Sequence, residues 1–153
     1  MKHVDIYLAA DTSFYDTHPR DRIVAHILEI NSIQKSGISE AKGSYGNEAA
    51  LKGLLVALNR LTKDVEVMVH VDSTYLESQI NTGNIYLWMD RKGLKSDMTP
   101  IRYKDLWMET LAAVQRRCLN RIKSSRVISS EKQKQLKDCI SRYVDERNAD
   151  KNR

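Results

Sequence analysis

A chain of 153 residues with 41% hydrophobic and 29% charged side chains has the size and balance of one folded domain, which excludes a disordered polyelectrolyte and a chain built of membrane spans. No apolar run reaches the ~18 residues that a span needs, and Asp5 and Asp11 interrupt the first apolar run, where an export signal needs its apolar core. The expectation is a single cytoplasmic, monomeric domain over residues 1–153. With 25 basic against 20 acidic residues the net charge is +5, a mild pointer to a polyanionic partner. The two cysteines, Cys118 and Cys139, fit neither a disulfide framework nor a zinc pattern and read as small buried hydrophobes.

In chain order, Val4, Ile6, Leu8 and Ala10 alternate with Asp5, Tyr7, Ala9 and Asp11, the period of a strand with two distinct faces. A turn follows over residues 16–21, with Pro19. Residues 22–30 (RIVAHILEI) and 33–38 then read as hairpin partners about Asn31-Ser32. Residues 43–47 read as a loop and EAALKGLLVALNRL as a helix, its leucines at 51, 54, 55, 58 and 61 forming a buried stripe. VEVMVHV is a strand ending at Asp72. A short helix over 74–81, a polar-aromatic stretch over 84–95 and a helix over 103–123 come next. Residues 126–129 are the candidate last strand, and Ser130 with Gln133 resembles a capping box opening a final helix. This order predicts one mixed α/β domain.

Sites on open sheets lie beyond the carboxyl ends of strands. Asp11 and Asp72 close two strands, Glu48 opens the helix before the second of these, and Asp150 ends the last helix. Such carboxylates, if they converge, offer oxygen ligands to Mg²⁺ or Mn²⁺ for phosphoryl chemistry. The same acids also suit helix ends and solvated surfaces, and spacing does not choose. The histidines at 3, 18, 26 and 70 share no ligand spacing. His70 has the strand parity of Asp72 but reads as structural.

The segment VDSTYLESQINTGNIYLWMDRKGLKSDMTPIRYKDLWMETLAAV resembles the middle of a type 1 ribonuclease H. The likeness rests on Asp-Ser-x-Tyr after a hydrophobic strand, a basic segment with tryptophan and Lys-Gly, and Pro100 ahead of Asp105-Leu106-Trp107. YGNEAALKGLLVALNRL is similar to the family's Asn-rich loop and first helix, ADTS to its strand end, and the final Asn-Ala-Asp to its C-terminal Ala-Asp. The resemblance implies a ribonuclease H-like α/β fold, with a mixed five-stranded sheet flanked by helices. It also implies cleavage of the RNA strand of RNA/DNA hybrids, with Asp11, Glu48, Asp72 and Asp150 holding two Mg²⁺ or Mn²⁺ ions. Asn47, Trp88, Arg91, Lys92 and Lys95 would contact nucleic acid, cations meeting phosphates while the indole packs on sugars or bases or, alternatively, anchors the loop to the core. Arg116, Arg117, Arg121, Lys123 and Arg126 read as a solvated helix face.

The sequence also departs from the family. Without gaps, the family's glutamate falls on Ala50, two residues past Glu48, and alignment on VDIY puts Ala9 where Asp11 is wanted. Thr12 stands for the usual glycine and Glu146 for the asparagine before the last aspartate. A helical pattern without histidine follows residue 126, where the family has a Gly-His loop. Two readings therefore stand: a two-metal nuclease, and a nucleic-acid-binding module on the same scaffold without turnover. An exonuclease or transposase relative fits less well, because those proteins diverge in the middle segment.

Overall fold

In the computed structural model, which describes residues 1–152, strands β1 (Lys2–Ala10), β2 (Arg20–Ile30) and β3 (Ile33–Ser44) lead into helix α1 (Gly46–Leu58). Strand β4 (Val65–Val71) follows, then helices α2 (Thr74–Asn81), α3 (Asn84–Asp90) and α4 (Lys104–Arg117), strand β5 (Ile122–Ser125) and helix α5 (Ser130–Lys151). The sheet order is β3-β2-β1-β4-β5. The β1–β2 and β2–β3 pairs are antiparallel, and β1–β4 and β4–β5 are parallel. This is the mixed five-stranded sheet that the resemblance implies.

Alternation in β1 does what a two-faced strand requires. Val4, Ile6 and Leu8 are fully buried and meet the leucine stripe of α1, with Trp107 of α4 at the far side of the same core. The opposite face of the sheet packs Ile23, Ala25 and Ile27 of β2 against Leu136 and Ile140 of α5. β2 is covered on both faces, so its apolar run is nearly continuous rather than alternating.

Several boundaries differ from the sequence expectations. The last strand is Ile122–Ser125, not 126–129. Serines carry little strand propensity, but the side chain of Asn81 donates to the Ser124 carbonyl and accepts its N–H, at 2.8 and 2.9 Å, pinning that edge. Val127, which made 126–129 look strand-like, is exposed. α4 stops at Arg117 because the chain turns through left-handed Asn120 (φ 62°) before the strand. Residues 84–90 are helical rather than irregular, and β3 runs on to Ser44. The cap of α5 is Ser129, whose hydroxyl accepts from the Lys132 N–H at 3.3 Å, one residue before the expected Ser130. Cys118 is buried and Cys139 half-buried, both free thiols as expected, with burial pushing the Cys118 thiol up to about 11.

Two glycines are fixed by close approach. A Cβ on Gly46 would lie 2.3 Å from the Phe14 carbonyl oxygen, so α1 starts hard against the loop after β1. A Cβ on Gly37 would lie 2.4 Å from the ring of His26, which is 2% exposed. Burial, with the charge of Arg60 second, pushes the His26 imidazole down to about 4, and its Nε2 lies 2.8 Å from Arg60 Nη1. The unfolded chain therefore takes up the proton first. Stability from this residue is present above about pH 6.5 and is lost as pH falls towards 4. Urea unfolding at pH 7 and pH 4.5 should show a loss on the order of 2–3 kcal/mol that His26→Gln, which keeps an acceptor for Arg60, removes. An unchanged slope in that variant would overturn the assignment.

Candidate active site and nucleic-acid interface

Asp72 lies at the C-terminal end of β4, where a site on this kind of sheet is expected. Its Oδ1 accepts a hydrogen bond from the Tyr15 hydroxyl at 2.9 Å, and that hydroxyl in turn accepts from the Thr74 N–H at the start of α2, at 3.2 Å. Arg126, in the loop after β5, sits beside the same hydroxyl. Hydrogen bonding to Tyr15, with the charges of Glu77 and Asp72, raises its pKa further, and its Nε is 3.4 Å from Glu77. Arg126 is thus no part of a solvated helix face. It lines a hollow of about 310 Å³ together with Asp72, Ala9, Thr12, Ser13 and Gln133.

Strand register decides what faces Asp72. Tyr7 pairs with His70 and Leu8 with Val71, so the next residue of β1 beside Asp72 is Ala9. Asp11 lies two residues further, about 6–7 Å along the chain. Its Oδ1 accepts from the Ile23 N–H of β2 at 3.0 Å, on the side of β1 away from β4. Asp11 instead borders a separate hollow of about 360 Å³ with Asp21, Lys42, Arg147 and Lys151.

Glu48 occupies the first turn of α1, where it accepts from the Tyr45 N–H at 3.3 Å, and it does not line the Asp72 hollow. Ala50 is fully buried in the main core. Asp150 is exposed near the end of α5, beside Glu146 and Arg147. From Gln133, at the Asp72 hollow, it is 17 residues along the helix (150 − 133), about 25 Å. Among the described residues no group of three or more His, Cys, Asp or Glu side chains is placed to hold a metal ion.

The nucleic-acid candidates separate by burial. Trp88 is half-buried, its ring 5.1 Å from that of Trp107, so it anchors α3 to the core. Arg91, Lys92 and Lys95 are exposed on a tight turn held by two left-handed residues, Lys92 and Gly93, and by the Lys95 N–H donating to the Thr99 carbonyl at 2.8 Å. Asn47 is half-buried at the start of α1. His70 is engaged by its neighbours: it stacks on Tyr7 at 4.4 Å and bonds Asp5 at 2.8 Å. The same Asp5 oxygen meets His3, its neighbour on that face of β1, at 3.1 Å.

Spacing gave no sign of Tyr15, 57 residues from Asp72, or of Arg22. The Arg22 guanidinium is fully buried. It donates to the carbonyls of Ser44 (2.8 Å) and His18 (2.6 Å) and to the Thr12 hydroxyl, and it pairs with Asp16 at 3.2 Å. Asp16 is held down to about 2, first by the backbone and ring of His18 and then by Arg20 and Arg22. Arg22 thereby ties down the loop that carries Thr12, Ser13 and Tyr15 to the site.

No family model matches the chain. It is 32% identical over 99 residues to a protein named ribonuclease H from Caldanaerobacter subterraneus subsp. tengcongensis, covering 65% of each chain. It is 32% identical over 74 residues to ribonuclease HI of Pasteurella multocida, covering 48% of this chain and 47% of that one. The chain therefore spans less than two-thirds of the length of these curated relatives. Its fold is similar to the solution structure of the PFV RNase H domain, with a TM-score of 0.60 at 12% identity over 91% of this chain and 90% of that one. It is similar, too, to the foamy viral protease-reverse transcriptase solved in complex with an RNA/DNA hybrid. There the TM-score is 0.57 at 14% identity, over 86% of this chain and 18% of that one.

Proposed function

We propose that this chain, a homologue of the ribonucleases H with the ribonuclease H-like fold, is a binding module for RNA/DNA hybrids that lacks two-metal turnover. One observation carries the reading: the strand neighbour of Asp72 is Ala9, and the hollow they share holds a guanidinium, Arg126, and no second carboxylate. A pair of divalent cations needs several oxygen anions around it to repay dehydration and to clamp the attacking and leaving oxygens. Asp72 alone, with a tyrosine hydroxyl on one oxygen and an arginine close by, does not fit that demand. Asp11 accepts from a β2 N–H, Glu48 accepts from the Tyr45 N–H before α1, and Asp150 lies near the end of α5.

Binding needs no metal. Arg91, Lys92 and Lys95 are exposed on a tight turn and outside any ion pair among the described residues, so they are available to phosphates, with counterion release as the driving term. A labelled hybrid should shift in a chelator at least as strongly as in Mg²⁺, which competes for its phosphates, and its RNA should stay intact across a wide range of Mg²⁺ and Mn²⁺. The triple Arg91→Ala, Lys92→Ala, Lys95→Ala variant should weaken binding and flatten the salt dependence by a slope of about 2–3. RNA fragments that appear with metal and vanish in Asp72→Asn would overturn this reading in favour of the nuclease.

A further inference from the structure

A second surface gathers one arginine and two tyrosines. Arg102 is exposed, and its Cζ lies 5.5 Å from the ring centroid of Tyr45 and 4.9 Å from that of Tyr103. Tyr45, immediately before α1, is itself exposed. Tyr103 stands at φ 58°, ψ 39°, a left-handed conformation that costs an aromatic residue on the order of 1–2 kcal/mol. Its ring is held there edge-on to Tyr75, at 6.4 Å, and Tyr75 in turn accepts from Trp107 Nε1 at 2.8 Å. The backbone strain is thus balanced by core packing, and its outcome is a phenol ring set under a guanidinium.

No ion pair among the described residues includes Arg102 or its neighbour Lys104. Gly93 packs against the stem of Lys104, where an added Cβ would meet Cγ at 2.8 Å. The turn bearing Arg91, Lys92 and Lys95 therefore packs beside Lys104, the residue that follows Tyr103. An arginine set against aromatic faces and outside any ion pair keeps donors for a ligand beyond the one it gives the Tyr103 hydroxyl, and its plane is preorganised.

We propose that Tyr45, Arg102 and Tyr103 form a stacking platform for an unpaired nucleobase, so that the chain grips a hybrid at a single-stranded end or junction. Phenol and guanidinium planes stack on any base, whereas a base inside a duplex has no face to offer. The cations on the adjoining turn suit the phosphates of the strand that carries this base. The proposal rests on the reading that the ligand is nucleic acid.

The test compares the full chain on a blunt hybrid, the same hybrid with a short single-stranded extension, and the extension alone, by fluorescence anisotropy. The extension should tighten binding about tenfold. Tyr45→Ala should abolish that gain, Tyr45→Phe should keep it, and both should bind the blunt hybrid as the native chain does. Tyr45→Ala should leave the salt slope unchanged, and Arg102→Ala should reduce it by about one. Tyr103→Gly, which relieves the left-handed strain while removing the ring, should also lose the gain. An extension that adds nothing, or a gain that survives Tyr45→Ala, overturns the platform. Failure to bind the blunt hybrid while the extension alone still binds in a Tyr45-dependent way overturns the hybrid reading and leaves the platform standing.

Discussion

The double variant Ala9→Asp, Arg126→Gln is expected to take up Mn²⁺ and to gain about 5 °C in thermal midpoint at a metal concentration about a hundredfold over its Kd, whereas the native chain does not move. The reason is local. Register puts residue 9 beside Asp72, so an aspartate there brings two carboxylates into one hollow, with Cβ atoms about 5 Å apart. Removing the guanidinium takes away the charge that competes with an ion. Without metal the two anions repel, and the variant should melt below the native chain, which makes the metal-induced rise easy to read. Differential scanning fluorimetry with Mg²⁺, Mn²⁺ and chelator is sufficient. A native chain that shifts as much as the variant would show that Asp72 recruits metal with partners other than its strand neighbour.

Arg22→Ala should cost about 2–4 kcal/mol, a large part of the stability of a domain this size, because buried acceptors lose their donor. Truncation leaves the Asp16 carboxylate without its buried partner and the carbonyls of Ser44 and His18 without their donor. Because Arg22 also bonds Thr12, the loop that lines the Asp72 hollow should loosen at the same time. Arg22→Lys should recover less than half of the loss, since an ammonium on a flexible stem does not reproduce a planar fork engaged on several sides. Chemical unfolding measures the first effect and hydrogen exchange at residues 12–16 the second. A loss below about 1 kcal/mol would mean that water replaces these contacts freely.

Some of this was legible in the chain. The alternation in β1 and β4 and the burial of Leu51, Leu54 and Leu58 in α1 follow from the need to bury one face, whereas the helix stops before Leu61 and leaves Leu55 half-buried. The short helix at 74–81 was equally clear, with Ser73 accepting from the Leu76 N–H at its start. β5 was not, because its place is set by a side-chain clamp from Asn81, 43 residues away, and not by its own composition. The basic turn was visible as charge, while the role of Trp88 as an anchor needed its packing on Trp107.

Taken alone, the amino-acid order determined the class of fold, the run of elements, the position of Asp72 at a strand end, and the alternatives Asp11 or Ala9 and Glu48 or Ala50. Parity could not choose between residues 9 and 11, since both point to the same face of a strand. Only the tertiary structure decided which lies beside Asp72, through the β1–β4 register, and which positions the core absorbs, as it does Ala50. It alone brought Tyr15 and Arg126 to Asp72, and Tyr45 to Arg102. The physical reason is that hydrophobic periodicity is written locally along the chain. The charge and hydrogen-bond partners of a site come from segments whose meeting depends on how strands pair and helices pack.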